Sequence, residues 1–286
     1  MRVIVTGGSG YLGKHIASHF GADDLSRRSG RDILNGVQAA EIAAYDLVIH
    51  LAARLDKDPD AAEEVFLTNV EGTINALKNV REGAAFVFAS TKDVYGRFAA
   101  NYAEVPEDCP TIYSGQSALE WSKLIAEHYV EYYARTNGFR SAIFRLSTVY
   151  APPSEGNMPS FVGAFAEAIN KGEAIRLPGA GRPVRDVMHV DDLSSACEAF
   201  ADSVIRHGIY NIGGGSGNAL PLRELVKKLE EVSGLEAVID DANPLPEPFP
   251  LNYVSDLGRA NQELAWRPQI GIDEGLRTLF GANPAE

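Results

Sequence analysis

Cysteine, methionine and tryptophan are scarce in these 286 residues, numbering two, three and two. Cys109 and Cys197 stand far apart in the chain, which argues for reduced thiols and against a disulfide scaffold. No His, Cys or Asp cluster has metal-ligand spacing, so no metal is expected. No apolar run approaches the roughly 20 residues that span a bilayer. The first strand starts at residue 2, leaving no room for a signal peptide, and a cytoplasmic enzyme is the expectation. Positive charge is also short. The formal net charge of −13 disfavours nucleic acid and anionic membranes as partners. What cation there is comes mostly as arginine, 18 Arg against 8 Lys. Guanidinium forks match phosphate oxygens in pairs, so a local reversal of the field is feasible.

The most informative segment is Val3-Ile-Val-Thr-Gly7-Gly8-Ser-Gly10-Tyr-Leu-Gly13. A β-branched run reads as a buried strand, stopped by glycines, and the residues from Tyr11 to about Phe20 are apolar at helical spacing. Gly8, Gly10 and Gly13 fit G-x-G-x-x-G in the strand–turn–helix context that the motif requires. Free N–H groups and the positive dipole at the helix start would then hold a diphosphate. A dinucleotide cofactor is the direct reading.

Strand and helix alternate through the first half. Strands are expected near Asp24–Arg27 and at Asp46–His50, Ala85–Ser90 and Ser141–Leu146, with helices over Pro59–Arg81 and Ser117–Asn137. Ser117-Ala-Leu-Glu120 forms a capping box and Gly138 a C-terminal stop. The pattern implies an α/β fold with a doubly wound parallel (Rossmann) sheet. Beyond Tyr150-Ala-Pro-Pro the rhythm breaks. Residues 1–150 are therefore expected to form the dinucleotide domain. Residues 151–286 would mainly form a smaller C-terminal substrate lobe, some of whose segments return to the main sheet. The apolar residues of helix 117–137 suit core packing and also a homodimer.

Further along come His50-Leu-Ala-Ala53, Asn69-Val-Glu-Gly-Thr73, Ser90-Thr-Lys-Asp-Val-Tyr-Gly96, Ser122-Lys123, Arg145-Leu-Ser-Thr-Val-Tyr-Ala-Pro152, Arg185-Asp-Val-Met-His-Val-Asp-Asp192, Tyr210-Asn-Ile-Gly213 and Leu264-Ala-Trp-Arg-Pro268. In order and spacing the chain resembles the extended short-chain dehydrogenase/reductases, the NAD(P)-dependent nucleotide-sugar epimerases and dehydratases. The resemblance implies a cofactor pocket in which Gly7, Gly10, Tyr11, Leu12 and Gly13 cradle the pyrophosphate. Asp32 and Ile33 would lie beside the adenine, Leu51, Ala52 and Ala53 along the adjacent strand end, and Asn69, Ser90, Lys123 and Leu146 further in. After the second strand the chain offers Asp23 or Asp24 for an NAD ribose and Ser26-Arg27-Arg28 for a 2′-phosphate. The arginines tip the balance from NAD to NADP. For a nucleotide-sugar substrate the resemblance implies Arg185 as a diphosphate clamp, Thr148 beside it, and Met158 to Phe165 around the base.

One position departs from the family. Its tyrosine stands four residues before the lysine, where the ammonium lowers the phenol's pKa for acid–base work. Here Lys123 is present and the earlier position is Leu119, which cannot move a proton. Three readings remain open. In the first, Tyr113 substitutes from the preceding loop; in the second, Thr91 carries the proton, with Lys92 and Asp93 in the dehydratase acid and base places; in the third, the chain binds cofactor without turnover. An epimerase or dehydratase working through transient C4 oxidation is the expectation, with a keto-sugar reductase or a silent NAD(P) sensor as alternatives.

Overall fold

The computed structural model describes residues 1–244 and 250–281. Twelve strands are present among them. The first five are β1 Val3–Thr6, β2 Asp23–Leu25, β3 Leu47–His50, β4 Ala85–Thr91 and β5 Arg140–Leu146. There follow β6 Thr148–Tyr150, β7 Ala174–Pro178, β8 Val184–His189, β9 His207–Ile212, β10 Ala219–Pro221, β11 Val238–Asn243 and β12 Asn252–Tyr253. The main sheet runs β2-β1-β3-β4-β5-β9 and is parallel throughout. Its central strands β1 and β3 are buried at every position, which is why they read as unbroken apolar runs. The strand order reverses between β1 and β3, and the crevice at such a reversal, beyond the strands' C-terminal ends, is where doubly wound sheets take ligands.

Two of the expected boundaries shift. The second strand ends at Leu25, because Ser26 starts a tight turn over Arg27–Ser29, with the Ser29 hydroxyl accepting from Ser26 N at 3.2 Å. The helix expected over Pro59–Arg81 is divided. It has α-helical runs at Ala62–Phe66 and Gly72–Leu77 and, between them, one wide π-turn at Leu67–Glu71. The long helix spans Ala118–Asn137 as read, with Glu120 accepting from Ser117 N at 2.7 Å and Gly138 closing it in the left-handed conformation at φ 72°.

After Tyr150 the chain builds a second layer. Strand β8 pairs with β6, β10 and β12, and β7 pairs with β11. Tyr150, Val162, Leu177, Leu222 and Leu225 form its apolar core. In between, β9 returns to the main sheet and pairs with β5 from Ser141↔His207 to Leu146↔Ile212. No described helix is long and apolar enough to cross a membrane.

Candidate active site

The glycine turn fits a dinucleotide on steric grounds. Gly7 has φ +74°, and a Cβ there would stand 2.8 Å from Ala52 N. A Cβ on Gly13 would stand 2.1 Å from Gly7 O, so only glycine lets the helix start pack against the turn. The helix Tyr11–Phe20 follows Gly10 with no side-chain cap, leaving its first N–H groups to an anion.

Beside this turn lies a cavity of about 270 Å³. Of the cofactor residues inferred from sequence, Gly7, Gly10, Arg27, Arg28, Asp32, Ile33, Leu51, Ala52 and Ala53 line it, joined by Ser9, Ser26, Arg31 and Asn157. Arg28 donates to Asn157 and, at 3.3 Å, to Ser9 O, while Arg31 pairs with Glu41 at 2.8 Å. Some of the other expected residues turn their side chains elsewhere. The Tyr11 hydroxyl donates to Ala151 O and accepts from Ala151 N, both at 2.8 Å, so that side chain fastens the second layer. Leu12 packs on the apolar core. Ser90 turns away from the crevice and donates to Glu127 at 2.5 Å, inside a buried network where Arg145 pairs with Glu127 at 2.7 Å.

Asn69 is buried in the π-turn, and its side chain makes three hydrogen bonds. It accepts from Arg54 N at 2.8 Å, donates to Arg54 O at 3.1 Å, and donates to Ser122 Oγ at 2.8 Å. The loop after β3 is thereby tied to the long helix. One residue on, Lys123 is 4% exposed. Its ammonium donates to Ala89 O at 2.7 Å and lies 4.9 Å from the centre of the Phe88 ring. Burial pulls its pKa down to about 8 against the opposing pull of Glu127.

Thr91 ends β4, two residues after Ala89. Its Oγ accepts from Asp93 N at 3.1 Å, which leaves its hydroxyl proton for a ligand oxygen. Asp93 meets Lys92 at 2.5 Å and Lys57 at 3.3 Å. Burial would raise its pKa, but the two ammonium groups overcome this and hold it at about 2. Such a carboxylate stays ionised and is a poor base. Lys57 also pairs with Glu120 at 2.7 Å. Sequence reasoning missed Lys57 and saw Glu120 only as a cap, since contacts that close across loops leave no local pattern.

Leu119 is buried where the family tyrosine would stand. Tyr113 is 65% exposed and stacks on Trp121, with ring centroids 6.0 Å apart. Trp121 lies two residues from Lys123 and so on the far side of the helix. The structure therefore directs Tyr113 away from the lysine face rather than into the tyrosine's place. Arg185 pairs with neither Asp186 nor Asp191. It donates to the carbonyls of Val184 (2.7 Å), Leu251 (2.8 Å) and Pro250 (3.2 Å). Thr148 and Leu146 are half-buried at adjoining strand ends, whereas Met158 is exposed.

Comparison with known proteins places this site in a context. Residues 3–213 match the model of the NAD dependent epimerase/dehydratase family. The chain is 28% identical to CDP-paratose 2-epimerase of Salmonella typhi, covering 98% of both chains. It is 28% identical to dTDP-glucose 4,6-dehydratase of Mycobacterium tuberculosis over 98% of this chain and 92% of the relative. Among solved structures, DesIV, a dTDP-glucose 4,6-dehydratase from Streptomyces venezuelae with NAD and TYD bound, superposes with a TM-score of 0.83 at 26% identity, covering 98% and 96% of the two chains.

Proposed function

This chain belongs to the NAD dependent epimerase/dehydratase family, and on that premise we propose that it acts on a nucleotide-diphosphate sugar through transient oxidation at C4, as an epimerase or dehydratase. The observation that carries this reading is the hydrogen-bonded link from the loop after β3 through Asn69 to Ser122 on the long helix, beside Lys123, whose ammonium donates to Ala89 O two residues before Thr91. When bound, the nicotinamide supplies the hydride acceptor and donor. Lys123 would hold the nicotinamide ribose, Thr91 would donate to the reacting sugar oxygen, and Thr148 and Arg185 would face the diphosphate. For Arg185 this means exchanging backbone carbonyls for phosphate oxygens. Residues 151–286 would supply most of the sugar-nucleotide contacts. NADP is the favoured dinucleotide, because Arg27, Arg28 and Arg31 all border the adenosine end of the cavity. We place the enzyme in the cytoplasm as a homodimer. Phe66, Leu67, Tyr129 and Tyr132 are exposed apolar residues on two elements that pack together, which supports the dimer.

Leu119 favours a second reading, a dinucleotide-binding protein without turnover. The test is to offer UDP-, dTDP-, CDP- and GDP-sugars with NAD or NADP to the wild type and to Leu119→Tyr, and to follow products by mass spectrometry. New or increased keto-sugar chemistry in the variant supports the enzyme. Bound dinucleotide with no chemistry in either protein supports the binding role. Retention of cofactor through purification separates a self-recycling enzyme from a reductase, which must exchange it every cycle.

A further inference from the structure

Asp24 stands behind the lining of the cavity beside the glycine turn, and its placement is unusual. Its Oδ2 accepts from Ser9 Oγ at 2.5 Å and from Ser26 Oγ at 2.8 Å. Its Oδ1 is shielded from water and has no hydrogen-bond partner. Glycine at position 8 leaves room for this carboxylate: a Cβ there would stand 2.6 Å from Asp24 Oδ1 and force the side chain to shift. Both serines, by contrast, border the adenosine end of the cavity. Each hydroxyl has one proton. That of Ser9 goes to Asp24. That of Ser26 goes to Asp24 or to Ser9 Oγ, 2.9 Å away, and both lie inward. The third neighbour, Ser29 Oγ at 3.4 Å, directs its own proton to Ser26 O at 2.9 Å.

We infer that Asp24 sets the choice between the two adenosine riboses without touching either, by holding the protons of Ser9 and Ser26 inward so that both hydroxyls offer only lone pairs to the cavity. A ribose 2′-hydroxyl can donate to those lone pairs. A 2′-phosphate, itself all acceptor, cannot. The serines thus oppose the three arginines, and the chain takes NAD alongside NADP. This rests on the dinucleotide reading above and adds a residue that controls its specificity.

Calorimetric titration of the purified protein with NAD and with NADP provides the test. In the wild type the two dissociation constants should lie within about tenfold of each other. Asp24→Ala frees both serine protons to turn outward, and should shift the ratio about tenfold toward NADP. Ser26→Ala removes an acceptor and should weaken NAD several-fold while leaving NADP unchanged or tighter. In the Ser9→Ala/Ser26→Ala background, Asp24→Ala should lose most of its effect. The inference is overturned if Asp24→Ala leaves the ratio within twofold, or if its shift persists undiminished without the serines, which would assign it to charge alone. Thermal melts of each variant establish folding, and the serine variants carry the test should Asp24→Ala not fold. If the wild type binds neither dinucleotide, the underlying reading fails as well, an outcome distinct from an unchanged ratio.

Discussion

Lys123 is the residue whose surroundings conflict most with its charge. Its ammonium lies near Phe88 and donates to the carbonyl of Ala89, and burial brings its pKa from 10.5 to about 8. Below pH 8 both folded and unfolded chains carry the proton, and the folded state bears the full cost of burying it. Between about pH 8 and 10.5 the unfolded chain binds more protons, so stability rises with pH across that window. Lys123→Met should therefore stabilise the cofactor-free protein at pH 7 by about 1–3 kcal/mol, read from denaturant melts, while weakening dinucleotide binding. A melt unchanged or lowered in the variant would count against this account. The place of this lysine on the long helix was legible in the sequence because the helix has a capping box at one end and a glycine stop at the other. The partners of Asp93 were not, because Lys57 lies 36 residues away and meets it only through the fold.

At the scale of elements, the glycine turn, the capping box of the long helix and the parallel alternation could all be read from local pattern. The π-turn at Leu67–Glu71 could not. One extra residue shifts an apolar helical pattern by only about 100°, and both flanking runs remain amphipathic. Its effect is large all the same, since Asn69 is the hinge pin between the loop after β3 and the long helix. Asn69→Ala leaves the N–H and carbonyl of Arg54 without their partner, and should cost about 1–3 kcal/mol in stability. It should also loosen dinucleotide binding, since Leu51, Ala52 and Ala53 lead into the same loop. Comparing its melting temperature with and without saturating dinucleotide checks both effects. Gly13→Ala, by contrast, should abolish binding outright, because the new methyl collides with Gly7 O.

Across the whole molecule, acid should act through buried histidine. His50 lies between Thr6, 2.7 Å from Nδ1, and Thr73, 3.0 Å from Nε2. Burial first, and then the charge on Lys123, lowers its pKa to about 3. Below pH 6.5 the unfolded chain gains a proton there that the folded chain refuses, so stability falls as pH drops, by about 2 kcal/mol at pH 5. Chemical melts at pH 7 and pH 5 should show His50→Gln losing about that much less than the wild type. Equal losses in the two proteins would refute the assignment. The proposed homodimer should appear in sedimentation as a concentration-dependent mass, and Tyr132→Glu on the exposed helix face should shift it toward the monomer.

The return of β9 to the main sheet also limits how this chain can be divided. A fragment cut after residue 150 would keep every glycine of the dinucleotide turn, yet would leave β5 as a raw edge. Its backbone from Ser141 to Leu146 would lack its partner strand, and Phe144 would lose the ring of Tyr210. Open apolar edges of that kind recruit other chains. The part of this protein that looks most like an independent cofactor-binding module should therefore aggregate when expressed alone.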